Sequence, residues 1–184
     1  MDALTLLTQR KSNKKLTAPA PSQVQLEQMF QAALHAPDHG KLEPYHFVVI
    51  QGTGLSKLES LLKAAVTEFD LGEERLKKAE NFARRAPMVI AVIAKINHEV
   101  KKVPGWEQML TAGAATYAIQ LAGNALGFES FWATGPLVEG RELREAFGCN
   151  KNDKIVALLQ IGTAVEKLER DCKPKDLSRF VSHL

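Results

Sequence analysis

The sequence predicts an α+β fold in which helices cover a small, mainly antiparallel sheet. Helical apolar patterns alternate along the chain with short apolar runs near residues 45–50, 87–96, 128–134 and 155–162, which are predicted strands. The run over 87–96 is almost continuously hydrophobic, which indicates a strand covered on both faces. No linker, repeat or low-complexity segment interrupts the pattern, so residues 1–184 are expected to form one domain.

The N-terminal region predicts two helices. Asp2 can cap the first, and a capping-box pattern at Ser22 and Gln25 begins a second helix that runs to Pro37. Residues 17–21 are expected to connect them without regular structure.

The middle of the chain predicts three more helices after the first strand. One covers residues 55–69, and the charged segment 70–85 is a helix in which we expect mobility or a lid. The longest helical pattern, residues 104–127, is rich in small residues, which let another backbone approach closely. Burial against a second copy of the chain is one way to cover such a helix.

The C-terminal region predicts a strand over 128–134, a short helix over 139–147 and a buried strand over 155–162. The tail over 163–184 has few periodic apolar positions, so it is expected to pack along a surface or a partner.

Composition argues against several classes of protein. Hydrophobic residues at 45% and charged residues at 24% are ordinary globular values, and no apolar run suits a membrane span. A net charge of +3 without a dense basic stripe does not suit nucleic-acid binding. The sequence has two cysteines, Cys149 and Cys172, and shows no secretion signal. This combination predicts free thiols in a reducing cytoplasm and no metal site.

Two polar stretches suggest a binding site. Residues 9–15 (QRKSNKK) gather cations and a hydroxyl able to bind an anionic group, although a solvated helix end is the usual alternative. Residues 36–50 contain a polar turn through Asp38 and His39 between two packed elements. Taken alone, that run is more simply a helix-to-strand connection.

Together these stretches resemble the nitroreductase family of flavin enzymes, most closely its short YdjA-type members. Family members carry an Arg-Arg-Ser-type cluster, an Ala-Pro-Ser/Asp turn, a Gln-Pro-Trp-His-Phe run and a Gly-Phe-Gly…Trp-x-Ser/Thr-Gly segment. Their counterparts here are residues 10–12 (RKS), 36–39 (APDH), 43–47 (EPYHF) and 127–135 (GFESFWATG). The resemblance covers nearly the whole chain and implies an α–β sandwich, a homodimer around the central helix, and two flavin sites at the dimer interface.

The resemblance also implies which residues bind FMN. The residues implied to bind the phosphate and ribityl side of FMN are Arg10, Lys11, Ser12 and Lys14. The turn residues that reach the flavin from the other subunit are His35, Asp38, His39 and Lys41. The flavin ring is lined by Phe131, Trp132, Ala133 and Thr134. His35 could instead simply favour a helix C-terminus, and Trp132 could be a core aromatic residue.

Several positions depart from the family pattern. Lys11 replaces a frequent arginine, Glu43 a glutamine and Tyr45 a tryptophan. Ala133 stands where near relatives tend to carry arginine, which points to a different substrate choice. The basic residues near the C-terminus stay outside the predicted site: Lys173, Lys175 and Arg179.

The implied activity is that of an FMN-dependent oxidoreductase. NADH or NADPH delivers hydride, and a nitroaromatic, quinone or similar acceptor then takes the electrons at the same face. Hydrolytic, zinc-binding, dinucleotide and P-loop motifs are missing from the sequence, which suits an enzyme whose cofactor carries the chemistry, and no side chain is predicted as a catalytic acid or base. Two alternatives are a flavin storage or regulatory protein with little turnover, and a flavin-free dimeric module that binds an acidic partner.

Overall fold

The computed structural model describes residues 2–166 and 176–184. The helices are α1 (Ala3–Gln9), α2 (Gln23–Leu34), α3 (Thr53–Glu68), α4 (Gly72–Arg84), α5 (Gly105–Ala125) and α6 (Arg141–Ala146), with a 3-10 turn at Pro136–Glu139. The strands are β1 (Leu16–Thr17), β2 (Tyr45–Gln51), β3 (Met88–Ala94), β4 (Glu129–Ala133) and β5 (Lys154–Ala164). Cys172, Lys173 and Lys175 lie outside the described residues, whereas Arg179 is described and exposed.

The strands form a five-stranded sheet in the order β1-β5-β3-β2, with β4 also paired to β5. All of the strand pairs are antiparallel. The predicted fold class, helices over a small antiparallel sheet, is therefore confirmed.

Two hydrophobic cores lie on opposite faces of this sheet. Along β3, Val89, Ala91 and Ile93 pack into one core with α3, α4 and α6. The alternate residues Met88 and Ile90 pack into the other core with α2 and α5. Since neighbouring side chains of a strand point to opposite faces, this alternation explains why the whole of β3 is apolar and confirms its predicted cover on both faces.

The predicted helix starts are confirmed. The Asp2 side chain accepts a hydrogen bond from the Thr5 amide, 3.0 Å away. Ser22 and Gln25 form a reciprocal capping box at the start of α2. These bonds satisfy amides that a helix N-terminus leaves without internal partners.

Three predicted boundaries were wrong. Thr17, predicted as the start of a connection, belongs to β1, and β5 continues to Ala164, so residues 163 and 164 belong to the sheet and not to the tail. A two-residue strand is too short to show a periodic pattern. The helix predicted over 139–147 begins only after Gly140, since Glu139 belongs to the 3-10 turn and Gly140 is extended. A Cβ at position 140 would lie 2.5 Å from the Cβ of Ala65, so the close approach to α3 requires glycine there.

Helix α5 is covered on one side only. Its buried residues face α2 and the sheet, while the opposite side exposes Trp106 and Leu110, each 60% accessible, together with Met109 and Tyr117. The predicted small-residue helix is therefore present, and within one chain it retains an uncovered apolar face. Within residues 2–166 and 176–184, no helix is long and apolar enough to cross a membrane.

Candidate functional site

The chain brings the basic segment, residues 10–14, against the start of β4. Ser12 forms a parallel bridge with Ser130, and the Asn13 amide donates a 3.0 Å hydrogen bond to the Ser130 carbonyl. The predicted phosphate-side residues and ring-side residues, which are distant in sequence, therefore lie next to one another.

Asn13 holds this segment in place. Its buried side chain donates to Glu129 Oε2 at 2.6 Å and accepts from the Lys15 amide at 2.8 Å. The sequence analysis did not identify Asn13, since a single asparagine among lysines carries no distinctive spacing.

Arg10 is the residue in this segment with the clearest unmet bonding capacity. It is the C-cap of α1, and its guanidinium carbon lies 5.9 Å from the centre of the Tyr117 ring. Its Nε and Nη1 atoms are buried and have no hydrogen-bond partner among the described residues. Arg10 as a whole is half-buried. Burying two of its nitrogens without partners is costly, so an anionic group at this position would stabilise the guanidinium.

The other cations of the segment are more accessible. Lys14 is exposed, and its Nζ lies 4.7 Å from the centre of the Phe131 ring. Ser12 is exposed and Lys11 half-buried. Guanidinium, ammonium and hydroxyl groups are the donors that phosphate binds in proteins, so this donor set fits a phosphate-bearing cofactor.

A cleft of about 550 Å³ extends from Lys14 between β4 and α4. Its lining includes all the residues predicted to line the flavin ring: Phe131, Trp132, Ala133 and Thr134. The Trp132 indole N–H donates to the Val156 carbonyl at 2.9 Å, and the ring also packs against the core on the α5 side. Trp132 is therefore packed against the core, as its alternative interpretation requires, and also lines the cleft; its contact with a flavin stays a prediction.

Helix α4 contributes cleft residues that the sequence analysis missed. Arg75, Lys78, Phe82 and Arg85 all line the cleft. Their spacing of three, four and three residues places them on one helical face, and this periodicity was available in the sequence. The helix predicted over 70–85 is confirmed, and its mobility stays a prediction.

The polar turn, residues 37–43, lies at the beginning of α5 instead. His39 Nδ1 is 2.6 Å from Glu107 Oε2, and the Thr111 hydroxyl donates to the Pro37 carbonyl at 2.9 Å. Asp38 Oδ2 accepts the Glu43 amide at 2.7 Å. The contacts of His39 and Pro37 attach the turn to α5, and the Asp38–Glu43 bond closes the turn itself.

The other two residues predicted to reach the flavin from this region, His35 and Lys41, are exposed. His35 is the C-cap of α2, the position that its alternative interpretation requires. Lys41 has a positive φ of 52° and its side chain is exposed. No hydrogen bond or ion pair between described residues joins His35, Asp38, His39 or Lys41 to the basic segment, and none of the four lines the cleft beside β4. Their contact with a flavin from a second subunit stays a prediction.

Two side chains have raised pKa values, Tyr45 beside the turn and Cys149 beyond α6. Burial, followed by the negative charges of Glu43 and Asp38, raises the pKa of the Tyr45 phenol. Burial is also the main cause that raises the pKa of the free thiol Cys149. Both groups therefore stay neutral near pH 7, and neither is activated as a nucleophile.

The comparison with protein families decides the relationship. The profile of the nitroreductase family matches residues 7–163. The chain belongs to the nitroreductase family. A relative in Haemophilus influenzae strain Rd, provisionally named an NAD(P)H nitroreductase, is 64% identical over 184 residues, which cover 100% of both chains. The similarly provisional NAD(P)H nitroreductase YdjA of Escherichia coli K12 is 40% identical over 183 residues, covering 100% of both.

The nitroreductase fold is also seen in solved structures. The nitroreductase NfnB of a Sphingopyxis strain, described as FMN- and NADPH-dependent, superposes with a TM-score of 0.79. The superposition covers 100% of this chain and 99% of NfnB at 16% sequence identity. The nitroreductase fold is therefore conserved where few residues are identical.

Proposed function

We propose that this nitroreductase-family chain is an FMN-dependent oxidoreductase that uses NADH or NADPH to reduce nitroaromatic, quinone or similar acceptors. The observation that carries the proposal is the junction of the basic segment with β4, where two buried nitrogens of the Arg10 guanidinium, Nε and Nη1, lack a hydrogen-bond partner among the described residues. The related proteins that are named NAD(P)H nitroreductases, and the FMN-dependent NfnB, support the choice of cofactors. When bound, FMN supplies the two-electron redox chemistry.

In this proposal, the residues of the chain bind and orient the cofactor. Arg10, Lys11, Ser12 and Lys14 hold the phosphate and ribityl side, with Arg10 providing the half-buried charge. Residues 131–134 form the wall against which a planar ring packs, and the Trp132–Val156 hydrogen bond keeps that wall rigid. No side chain is assigned a proton-transfer step.

The proposal includes a homodimer with flavin sites at its interface. The uncovered face of α5 exposes Trp106, Met109, Leu110 and Tyr117, and the neighbouring helix α1 exposes Leu4 and Leu7. Apolar side chains exposed together in this way are typical of a protein interface. A Cβ on Gly113, within the same helix, would meet nothing within 4 Å, so another backbone can approach there.

The polar turn borders that face. Glu107 and Thr111, which hold the turn, alternate along α5 with the exposed Trp106 and Leu110. Dimerisation through α5 therefore carries the turn toward the second copy, which supports roles for His35, Asp38, His39 and Lys41 in the other subunit's flavin site.

The test is the visible absorption spectrum of the purified protein, recorded before and after anaerobic NADH or NADPH. We expect flavin bands that bleach with the nucleotide and return when a nitroaromatic or a quinone is added. Sedimentation should give the mass of a dimer.

Other outcomes separate the alternatives. A colourless protein that stays colourless after incubation with FMN overturns the cofactor assignment. Bound flavin that neither nucleotide reduces overturns the enzymatic proposal in favour of storage or regulation. A stable monomer with full flavin content refutes the shared site.

A further inference from the structure

Helix α4 presents a cationic wall, Arg75, Lys78 and Arg85, to the cleft beside β4. We propose that this wall binds the negative charge of the electron acceptor, so that the enzyme prefers aromatic acceptors carrying a carboxylate over neutral ones. This inference rests on the proposed function and names the substrate class of the same site.

The described charged side chains that line the cleft are all positive. Lys14 adds a further cation, and no acidic side chain in the described part of the chain lines the cleft. Cations that share a cleft reinforce one another's potential and raise the local concentration of anions. A neutral acceptor gains nothing from that potential.

Only positive charges of the described residues line the cleft, because other charged side chains of α3 and α4 form ion pairs outside it. Arg84 bonds Glu59 at 3.3 Å, and Lys63 bonds Glu80 at 3.0 Å. Lys78 has an exposed partner one turn earlier, Glu74, at 2.5 Å. Arg75 and Arg85 form no ion pair with any described residue, which leaves both guanidinium groups available.

The floor of the cleft suits an aromatic ring. Beyond residues 131–134, which are assigned to the flavin, it is formed by apolar side chains that include Phe82, Leu137 and Leu158. The cleft that the flavin ring and the acceptor would share has a volume of about 550 Å³. An apolar floor beneath a cationic rim matches a ligand with a planar apolar body and an anionic substituent.

The wall belongs to a helix that packs against the core. The buried Gln160 side chain of β5 donates to the Phe82 carbonyl at 2.5 Å, near the end of α4. Ala79 and Ala83 are buried on the opposite side of the helix from the solvent. These contacts anchor α4 beside the cleft into which the arginines extend.

The experiment compares 4-nitrobenzoate with 4-nitrobenzamide, which differ mainly in charge. Binding to the oxidised holoenzyme is measured by calorimetry without reductant, and kcat/KM is then measured with the preferred nucleotide. The variants are Arg75→Gln combined with Arg85→Gln, and the matched control Arg84→Gln, which changes an arginine on the same helix that faces Glu59.

We expect the anion to bind the unmodified protein about tenfold more tightly than the amide, as one charge-assisted bond allows. The double variant should abolish that ratio, whereas Arg84→Gln should keep it. Raising the salt concentration from about 0.05 M to about 0.5 M should weaken the binding of 4-nitrobenzoate more than the binding of 4-nitrobenzamide. The ratio of the two kcat/KM values should follow the ratio of the binding constants.

Equal binding of the two probes to the unmodified protein overturns the inference, and so does a ratio that survives in the double variant. A double variant that purifies without flavin also overturns it, because the wall would then belong to the cofactor site. A change confined to the NADPH-to-NADH preference likewise overturns it, since the wall would then bind the reductant. Flavin content and reduction of 4-nitrobenzamide report on the proposed function separately, so the two failures are distinguishable.

Discussion

The basic segment and the polar turn are both short, polar and close to the N-terminus, yet the structure treats them differently. In the turn, Asp38 and His39 already have partners within the chain. In the basic segment, Arg10 is half-buried and its buried Nε and Nη1 atoms are unpaired among the described residues. The hydrogen-bonding groups of the turn are thus satisfied within the chain, whereas two donors of the basic segment are not.

This difference shows how a folded protein separates positioning from binding. Internal hydrogen bonds give the turn a defined shape, which it can offer to a second subunit. The basic segment instead receives its shape from Asn13 and β4, so that Arg10 is left available. Four predictions test the contrast, from the largest expected effect to the smallest.

Arg10→Met should weaken FMN binding about 100-fold, because it removes a cation from the proposed phosphate site. The free energy of unfolding of the flavin-free protein should not fall, since the variant also removes two buried nitrogens that lack partners among the described residues. Flavin titration and urea unfolding measure the two quantities. Lys15→Met is the control, because Lys15 pairs with Glu166 at the surface. Loss of stability with unchanged FMN affinity would make Arg10 a structural residue.

Asn13→Ala should lower the free energy of unfolding by about 2 kcal/mol, since it leaves the Glu129 carboxylate and the Lys15 amide without their partner. Urea unfolding of the flavin-free protein gives the value. The control is Asn81→Ala, an exposed position on α4 with a small expected effect. Equal losses at both positions would show that Asn13 does not hold the basic segment.

Thr111→Val should cost about 1 kcal/mol, because the Pro37 carbonyl loses its hydroxyl donor. Amide exchange in residues 39–43 should accelerate as the turn loosens. Thr116→Val is the matched control, since that hydroxyl bonds Ala112 within α5. Unchanged exchange in the turn would mean that other contacts hold it.

Glu43→Gln should lower the pKa of Tyr45, because the nearby carboxylate disfavours the phenolate. The chain has two tyrosines, so absorbance at the tyrosinate band in a Tyr117→Phe background reports Tyr45 alone. Glu107→Gln serves as the control, since Glu107 pairs with His39. If the Tyr45 pKa is the same in all three proteins, the charge of the turn does not act on it.

Much of the fold was predictable because its signals are local and periodic. The apolar β3 and the capping boxes depend on residues close together in sequence. β1 could not be found in this way, since it exists only because Leu16 and Thr17 meet the end of β5.

The candidate site was predictable in part. Family resemblance identified both polar stretches, and the structure joins one of them to β4. The pairing of His39 with Glu107 depends on side chains 68 positions apart, which no local pattern reveals. The cationic wall did have a helical periodicity, but its exposed charges looked like an ordinary solvated face until β4 was placed opposite them.

The central position of β5 has a kinetic consequence. This strand pairs with β1, β3 and β4, and β4 in turn carries the bridge to Ser12. The ladder that joins β4 to β5 lies on the opposite edge of β5 from the ladder that joins β5 to β3, so β4 is an edge strand of the sheet. In deuterium exchange, the amides of β4 that pair with β5 should therefore open locally and become labelled before those of the central strand β3.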